Sequence, residues 1–425
     1  MLLRRGLLQA AVLAMAANTA PRAANDGNWW MQFGPGAGQG GTGSRVDSEV
    51  YDREFIKEWE SNPPPGYPTL SRHNIEATKA AIKRYTEIVA KGGWKPLPEV
   101  VLQPAASDPA VALLRERLSL SGDLKDGPTF SDQHFDGGLE QAVKRFQAST
   151  GLAPTGIVDK RTTAALNVPA TDRLRQLKVN LSRISEFAQP ASKRYVVVNV
   201  PAAHIEAVAG DKVVQRHAGV VGKPDRATPI LRSAITNLNF NPVWTLPPTV
   251  ISKDLIPKGR EMQKAGRNVL EKFGIDAYDG NGRKLDPRKV DWNSGQPQSL
   301  SYKQQPGRDN PLGFLKINFD SAESVYMHDT PSERLFGRNF RAASSGCVRV
   351  NGIERLAAWL LQEQGWDKAR VLKMKETHER LDVRLKRSVP LYFVYITAWA
   401  TEDGVVQFRR DLYGKDGAGT QASAY

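Results

Sequence analysis

The pattern of hydrophobic positions changes near residue 193, and it predicts helices before this point and strands after it. Before it, apolar side chains recur every three or four residues, which is typical of amphipathic helices. Ser71 can cap a helix that runs to about Ala90, and residues 172–187 form a connecting helix. After residue 193, short runs rich in β-branched residues are separated by Pro, Gly and Asp, which indicates strands. The predicted strands are 195–200, 204–209, 212–221, 227–239, 313–319, 324–328, 346–350, 390–400 and 405–410, with a helix at 353–361.

A compact helical unit lies between the first two helices, at residues 108–168. Its apolar residues form three helical stripes in succession: Val111, Leu114 and Leu118; then Leu139, Val143 and Phe146; then a short third helix at 162–166. The turn at 151–156 is rich in Gly and Pro and separates the last two helices. A unit of about 60 residues is marginally stable alone. Periodicity by itself is equally compatible with a generic helical bundle.

Together these elements predict an α+β multidomain chain, with a β-rich domain built on a mixed sheet or sandwich. Residues 247–312 interrupt the strands with helix-like and loop-like sequence and are interpreted as an insertion. The predicted divisions are a signal peptide (1–24), a low-complexity N-terminal segment (25–70), a helical scaffold (71–107), the three-helix module (108–169), the connecting helix (170–192), the β-rich domain (193–400, with the insertion at about 247–312) and a C-terminal strand and tail (401–425).

The N-terminus predicts export. Two arginines, Arg4 and Arg5, precede an apolar stretch at 6–17, which is too short to span a bilayer but typical of a signal peptide. Small residues between Ala16 and Ala24 offer a cleavage site, and the arginine pair is also typical of a twin-arginine signal. The alternative is a buried N-terminal helix. No later apolar run is long enough to cross a membrane, so we expect a periplasmic or envelope protein, exported by the Sec or twin-arginine route, with no transmembrane span after maturation.

Charge and cysteine content exclude several classes of function. The net charge of +14 is spread along the chain, which disfavours a nucleic-acid docking stripe and is compatible with an anionic cell wall. The single cysteine excludes an internal disulfide framework, a thiolate-rich zinc site and a cysteine-ligated iron–sulfur cluster. The six histidines form no ligand cluster. We therefore expect no metal site built from clustered cysteine or histidine ligands.

Two predicted strands bring reactive side chains together. Alternation along 324–328 places Tyr326 and His328 on one face, and alternation along 346–350 places Cys347 and Arg349 on one face. If the strands are neighbours, one open face presents a phenol, an imidazole, a thiol and a guanidinium, which suits acyl transfer. The thiol needs a base to become a nucleophile, and a histidine can supply it. A buried structural cysteine, a strand-end histidine and a surface arginine are the alternatives that this pattern leaves open.

The helical unit resembles the peptidoglycan-binding domain family. The resemblance lies in Leu114, in RL at 117–118, GDL at 122–124, AVKRFQ at 142–147 and GL at 151–152, and in Gly156, Thr163 and LNVP at 166–169. The later segment resembles the L,D-transpeptidases through HDTP at 328–331, LF at 335–336, Arg341 and SSGCVRV at 344–350. Residues 219–229 (GVVGKPDRATP) and 241–248 (NPVWTLPP) resemble the large periplasmic members of that family, which carry a capping insertion in the catalytic domain.

The resemblance implies a cysteine peptidyl transferase that acts on peptidoglycan without a cofactor. Cys347 would attack the bond between a diamino acid and the terminal D-alanine of a tetrapeptide stem, and a second stem's amine would resolve the thioester into a 3→3 cross-link. His328 would be the general base and acid. Its orientation would come from a backbone carbonyl or, less readily, from the Asp329 side chain.

Further roles follow from the same resemblance. Tyr326, Ser345 and the backbone at Gly346 and Cys347 are candidates for the oxyanion and orienting positions. Arg349 and Arg341 would hold the thiolate or a stem carboxylate. Trp244 lines the cleft or belongs to the core. The insertion, rich in Gly and Asn, is interpreted as a mobile lid that excludes water from the thioester.

The sequence is also compatible with other functions. The same acyl-enzyme chemistry serves hydrolysis, or the attachment and detachment of a wall-linked protein. From another class, the chain is a peptidoglycan-binding scaffold without activity. Sortase-like transfer is less favoured, because SSGCVR at 344–349 does not resemble a sortase signature. The expected partners are stem peptides, as donor and as acceptor amine, with the protein peripheral to the wall.

Overall fold

The structure, a computed structural model, describes residues 69–124, 132–188 and 192–417. The predicted signal peptide and nearly all of the low-complexity segment lie outside the described residues. The N-terminal half of the described chain contains α1 (Arg72–Ala90), α2 (Ala110–Ser121), α3 (Gly137–Ser149), α4 (Lys160–Leu166) and α5 (Ala170–Phe187). Each of these helices lies where the hydrophobic pattern predicts one.

The predicted caps explain where these helices begin and end. Ser71 Oγ accepts a hydrogen bond from the His73 N–H at 3.1 Å and so satisfies one of the free donors at the start of α1. Asp136 does the same for α3 through the Leu139 N–H at 2.8 Å. Helix α2 ends at Gly122, whose φ of 81° lies in the left-handed region that glycine adopts without strain.

Helices α2, α3 and α4 form the three-helix module around a core of their own. Leu114, Leu118, Leu139, Val143 and Leu166 are each almost completely buried in it. Helices α1 and α5 pack elsewhere, against each other and against the C-terminal strands, where Tyr85, Leu177 and Phe408 share one core. A buried amide, Asn180, exchanges two hydrogen bonds with Thr397 and fixes α5 to the C-terminal part of the chain. These two helices are therefore a scaffold for the sheet.

The β-rich domain is built on one mixed sheet. Its strands are β1 (Arg194–Asn199), β2 (His204–Ala209), β3 (Lys212–Gly222), β4 (Leu231–Phe240), β8 (Leu315–Phe319), β9 (Met327–His328), β10 (Ala342–Ser344), β11 (Val348–Val350) and β12 (Leu381–Val394). Their order is β10-β3-β11-β9-β8-β4-β12-β1-β2. Because β3 also pairs with β2, the sheet closes on itself. The core of this closed sheet is covered by two helices that follow β11, at Ile353–Leu361 and Lys368–Thr377.

A separate unit lies in the connection between the neighbouring strands β4 and β8. It contains a three-stranded sheet of β5 (Trp244–Thr245), β6 (Ile275–Tyr278) and β7 (Ser301–Gln304), in the order β5-β7-β6. Helical segments lie between these strands, at Pro248–Val250, Ile251–Leu255, Ile256–Lys264, Val269–Phe273 and Gln296–Ser299. The predicted insertion at about 247–312 falls here, and we call residues 247–312 the capping insertion. The expectation of only helix and loop was wrong, since four-residue strands among Gly, Asn and Asp leave no recognisable run.

Several strand boundaries differ from the predicted ones for local reasons. Residues 224–226 form a 3-10 turn, so the strand predicted at 227–239 begins at Leu231. Ser324 has a φ of 55°, which breaks the strand predicted at 324–328 and leaves only Met327–His328. The strand predicted from 390 begins at Leu381. Its first five residues, 381–385, alternate apolar and charged side chains, a period-two signal that the prediction overlooked. The helix at Lys368–Thr377 was not predicted.

The C-terminal part of the described chain ends in a two-stranded sheet of β13 (Ala398–Ala400) and β14 (Val406–Phe408). In the described residues, no helix is both long enough and apolar enough to span a membrane.

Candidate active site

The two short strands that hold the predicted reactive residues are neighbours in the sheet. Strands β9 and β11 run parallel, with Met327 opposite Val348 and His328 opposite Arg349. Met327 and Val348 are completely buried in the core of the sheet. Because side chains alternate along a strand, His328 and Arg349 face away from that core.

The Cys347 sulfur lies beside Tyr326. Hydrogen bonding from the backbone and the hydroxyl of Tyr326 favours the thiolate form of Cys347. Burial raises the pKa of the Cys347 thiol above its ordinary value of 9.0, while these hydrogen bonds and the positive charges of Lys316 and Arg349 act to lower it. Burial prevails, so the thiol is protonated at neutral pH.

His328 is held by the backbone of the next residue. Its Nδ1 donates to the Asp329 carbonyl oxygen over 2.5 Å, which fixes the tautomer and the ring orientation. Burial first, and then the nearby Arg349 charge, lower the pKa of the imidazole to about 3. The thiol of Cys347 and the imidazole of His328 are therefore both neutral at rest.

The Asp329 side chain is used elsewhere. Its Oδ2 accepts a hydrogen bond from the Phe314 N–H at 3.0 Å, and burial raises the pKa of the carboxyl to about 6. It lies so close to Gly313, whose φ is 59°, that a Cβ there would come within 2.2 Å of the carboxylate oxygen. Asp329 thus reaches the imidazole through its main chain, and its carboxyl shapes the loop before β8.

Tyr326 connects the site to the capping insertion. Its ring lies edge-on to the His328 ring, with centroids 5.6 Å apart. Trp244 Nε1 donates to the Tyr326 hydroxyl oxygen at 3.2 Å, and the Trp244 ring is buried in the core of the capping insertion. Trp244 therefore belongs to a core and contacts the site at the same time, which combines the two roles considered for it.

The turn before Cys347 is fixed by hydrogen bonds within the loop. Ser344 Oγ donates to the Cys347 carbonyl at 2.6 Å and accepts from the Gly346 N–H at 3.2 Å. Gly346 has a φ of 116°, a left-handed conformation that favours glycine, and its carbonyl accepts from Thr228 Oγ1 at 2.8 Å. The Gly346 N–H thus donates to Ser344 within the turn and does not point to the oxyanion position predicted for it.

Ser345 is exposed and joined to a buried ion pair. Arg226 Nη1 donates to Ser345 Oγ at 2.8 Å and to Asp254 Oδ2 at 2.7 Å, and a second bond runs from Nη2 to Asp254 Oδ1 at 3.2 Å. Asp254 belongs to the capping insertion, and its side chain is almost completely buried. These bonds fasten the insertion to the turn that precedes Cys347.

Lys316 is a neighbour of the site that sequence reasoning missed. It lies opposite His328 in the pairing of β8 with β9, and its Nζ is 4.3 Å from the centroid of the Tyr326 ring. Burial lowers the pKa of this lysine, whereas the thiolate form of Cys347 would raise it. Alternation along β8 places the Lys316 side chain on the face away from the buried Leu315 and Ile317. This alternation was the sequence signal that could have identified Lys316 as a neighbour of the site.

Arg349 and Arg341 differ in their surroundings. Arg349 is buried, its pKa is lowered to about 10 by burial, and its Nη1 donates to Thr330 Oγ1 at 3.5 Å. The Arg341 guanidinium instead donates to the carbonyl oxygens of Gly219, Arg338 and Ala202, each at 3.1 Å. The structure therefore brings Arg349 together with Cys347 and His328, and it places the Arg341 guanidinium among main-chain carbonyls.

In the described parts of the chain, no group of three or more His, Cys, Asp or Glu side chains is arranged to hold a metal ion.

Comparison with known proteins matches two segments of the chain to family models. Residues 193–376, which contain the Cys347 site, match the model described as "YkuD: L,D-transpeptidase catalytic domain". The chain contains an L,D-transpeptidase catalytic domain. Residues 107–166, the three-helix module, match the model described as "Putative peptidoglycan binding domain". Both family resemblances read from the sequence are thereby confirmed.

A curated relative supports the same assignment of the L,D-transpeptidase domain. A protein of Haemophilus influenzae named "Putative L,D-transpeptidase" is 31% identical over 241 residues, which are 57% of this chain and 48% of that protein. The chain thus spans about half the length of the curated relative that it matches.

Solved L,D-transpeptidase structures are similar only at a low level. One from Stackebrandtia nassauensis is 13% identical with a TM-score of 0.27, over 69% of this chain and 96% of that one. One from Xylanimonas cellulosilytica is 16% identical with a TM-score of 0.23, over 70% of this chain and 99% of that one.

Proposed function

We propose that this chain is a cysteine acyltransferase that forms 3→3 cross-links in peptidoglycan. The observation that supports it most directly is the group on one face of the L,D-transpeptidase domain: the Cys347 thiol beside the Tyr326 phenol, with the His328 imidazole and two cations around them. A thiol, a base and a hydroxyl donor are the parts that acyl transfer through a thioester requires.

In the first half-reaction the Cys347 sulfur attacks the carbonyl carbon of the bond between the diamino acid and the terminal D-alanine. Because the resting thiol and imidazole are neutral, His328 takes the thiol proton as the carbon–sulfur bond forms. The Tyr326 hydroxyl and the Cys347 N–H donate to the oxyanion. The carbon–nitrogen bond then breaks, His328 returns the proton to the leaving amine of D-alanine, and a thioester remains on Cys347.

In the second half-reaction the side-chain amine of a second stem attacks the thioester carbonyl. His328 takes a proton from this amine and gives it to the departing Cys347 sulfur, which restores the neutral pair. Asp329 acts through its carbonyl, which keeps the imidazole oriented for both transfers. Arg349 and Lys316 stabilise the negative charge that passes through the sulfur.

The proposal includes the compartment. A lone cysteine as nucleophile fits an exported wall enzyme, and the basic and apolar N-terminus supplies a signal peptide at 1–24 for the Sec or twin-arginine route. Mass spectrometry of the protein purified from the periplasm should give a mature chain that begins between residues 17 and 25. A chain that retains Met1 there would contradict signal cleavage.

Intact-protein mass after incubation with a tetrapeptide donor tests the function. We expect a gain equal to the donor minus D-alanine, located on Cys347 by peptide mapping. Adding an acceptor stem should remove the adduct and give a dimer with a 3→3 bond. Free tripeptide in the presence of acceptor would indicate hydrolysis, a bond to a wall-linked protein would indicate attachment, and no adduct at all would refute acyl transfer.

Lys316 provides a prediction for the electrostatics of the site. Lys316→Met removes a half-buried positive charge near the sulfur, so the thiol pKa should rise and acylation at pH 7 should slow by about tenfold. Lys316→Arg should keep most of the rate. The rate of iodoacetamide labelling of the single cysteine measures this directly.

Lys303 offers the matched control for this effect. Its Nζ lies 5.1 Å from the Tyr278 ring centroid, the same kind of contact in the capping insertion. Lys303→Met should leave the labelling rate unchanged. If the Lys316→Met variant and the wild type are labelled at equal rates, Lys316 does not affect the thiol pKa.

The capping insertion provides a prediction about water exclusion. Asp254→Asn leaves the Arg226 guanidinium without its buried carboxylate, a loss that typically costs about 3–5 kcal/mol when one partner of a buried pair is removed. Because Arg226 also holds Ser345, the insertion should loosen over the cleft. We expect a larger fraction of the thioester to be hydrolysed, measured as the ratio of free tripeptide to cross-linked product.

Glu271→Gln is the control for the insertion, because both side chains of the Glu271–Arg288 pair are exposed and the pair contributes little. It should change neither stability nor product ratio. If a folded Asp254→Asn variant keeps the wild-type product ratio, the insertion does not protect the thioester.

A further inference from the structure

A cavity of about 300 Å³ lies where the three-helix module, the closed sheet and the C-terminal segment meet. Its walls come from the turn after α3 (148–153), the connection before β2 (201–204), the loop before β10 (338–341) and residues 409–412. None of these residues belongs to the group around Cys347, so this is a second concave site on the molecule. Its volume falls at the lower end of small-ligand sites in proteins.

The charge of this cavity is strongly one-sided. Its titratable lining residues are Arg161, His204, Arg338, Arg341, Arg409 and Arg410, and the described residues that line it include no carboxylate. The positive field acts on His204: burial lowers the pKa of its imidazole well below the ordinary value, and the charges of Arg341 and Arg409 lower it further. Walls of one sign around a low-dielectric space concentrate the field and attract anions.

Two of these arginines also build the walls. Arg409 Nη1 donates to the Ser149 carbonyl at 2.8 Å, which ties the C-terminal segment to the end of α3. Arg341 ties the loop before β10 to Gly219 in β3. Asn339 Oδ1 accepts from the Ala153 N–H at 2.9 Å, which joins that loop to the module. The cavity is therefore preformed and does not depend on a ligand to bring its walls together.

The mouth of the cavity combines exposed charge with an aromatic surface. Arg161 and Arg338 are exposed, and the Phe340 side chain is 42% exposed, with the Arg410 guanidinium 4.9 Å from its ring centroid. Guanidinium groups bind carboxylates in a two-pronged geometry, and an exposed ring favours an organic ligand over a bare ion.

We propose that this cavity binds a carboxylate-bearing stem peptide of peptidoglycan, as a second site apart from Cys347. It lies between a module of the peptidoglycan-binding type and the L,D-transpeptidase domain, so a stem held here keeps the glycan strand next to the cleft. The choice of a stem peptide rests on the proposed function, whereas the affinity for an organic anion rests on the cavity alone.

Isothermal titration of the full chain carrying Cys347→Ala, which cannot consume the ligand, tests the site. With a free-acid tetrapeptide stem we expect two binding events, one at the cleft and one at the cavity. Adding Arg161→Gln and Arg338→Gln should weaken one event by at least about tenfold and leave the other unchanged. Arg161→Lys with Arg338→Lys should retain part of the affinity, since the charge remains.

Arg380→Gln with Arg387→Gln is the matched control. Both residues are exposed, lie outside the cavity and give the same change in net charge, so both binding events should persist. Equal isotherms for the two double variants would overturn the proposal. An amidated stem that binds the cavity as tightly as the free acid would also overturn it, and so would inorganic phosphate that displaces the stem at equal concentration.

The acyl-enzyme assay separates this proposal from the proposed function. The double variant Arg161→Gln with Arg338→Gln, which retains Cys347, is incubated with the tetrapeptide donor, and its intact mass is measured by mass spectrometry. An adduct together with unchanged two-site binding refutes the cavity and leaves acyl transfer standing. If the Cys347→Ala chain shows two binding events but the wild type forms no adduct, acyl transfer is refuted and the binding site in the cavity is supported.

Discussion

Replacing Cys347 by alanine should abolish the acyl-enzyme and lower the rate of cross-linking by at least about 10⁴-fold, because the atom proposed to form the thioester is gone. The fold should survive. The Cys347 side chain is only partly buried at the edge of the core, so its loss should cost about 1 kcal/mol of unfolding free energy. The measurements are intact-protein mass with a tetrapeptide donor and thermal unfolding of both proteins.

Cys347→Ser supplies the conservative control for this prediction. It keeps the shape of the side chain and the contact with Tyr326, but a hydroxyl is far harder to deprotonate than a thiol. It should therefore be nearly as inactive as the alanine variant, with wild-type stability. An adduct of the expected mass on Cys347→Ala would show that another atom is the nucleophile.

The same variant separates an enzyme from a wall-binding scaffold. Cosedimentation with purified peptidoglycan should be equal for the wild type and Cys347→Ala, since the three-helix module and the arginine-lined cavity lie apart from the sulfur. If the wild type binds the wall but forms no adduct and no dimer, the scaffold interpretation is the correct one.

The two-residue alternation predicted which residues of the two short strands face the core of the sheet. Met327 and Val348 are fully buried, so the residues beside them along each strand face the opposite side. The face of His328 and Arg349, which was expected to be open, is also buried, with these two residues 4% and 2% exposed. The prediction of which residues share a face depends only on the alternation of side chains along each strand. It held even though the strand at Ser324 is broken, because the break lies before Tyr326.

Features that depend on distant parts of the chain could not be predicted in this way. Lys316 reaches Tyr326 because β8 pairs with β9, and a sequence does not state which strands pair. Arg341 finds its partners at Gly219, Arg338 and Ala202, and two of these come from segments more than a hundred positions away. The sequence does not distinguish an arginine whose guanidinium donates to main-chain carbonyls from one whose guanidinium binds a substrate.

The protonation state of the site also lies beyond sequence reasoning. It follows from the burial of Cys347 and His328 and from the charge of Arg349, and each depends on the assembled fold. The sequence predicted a thiol and its base, and the structure adds that both are neutral at rest. That difference determines how the rate should depend on pH.

His328→Gln should slow acylation at pH 7 by about 10²- to 10³-fold, because the thiol loses its proposed general base while the glutamine amide can still donate to the Asp329 carbonyl. In the wild type the reactive pair is neutral, and it stays so between the pKa of the imidazole, lowered to about 3, and the pKa of the thiol, raised from 9.0. The wild-type rate should therefore be flat from about pH 5 to pH 8.

The variant should behave differently, because only the thiolate can react once the base is removed. As long as the pH is below the thiol pKa, the thiolate fraction rises tenfold for each unit by which the pH increases. The logarithm of the variant's rate should therefore rise with pH with a slope of one. Single-turnover acylation between pH 5 and 9 measures both profiles. His217 is the matched control: it is buried, its pKa is also lowered to about 3, and its Nδ1 lies 2.9 Å from the Asn351 carbonyl oxygen. His217→Gln should keep the flat profile, and a flat profile for His328→Gln would mean that the imidazole does not take the proton from Cys347.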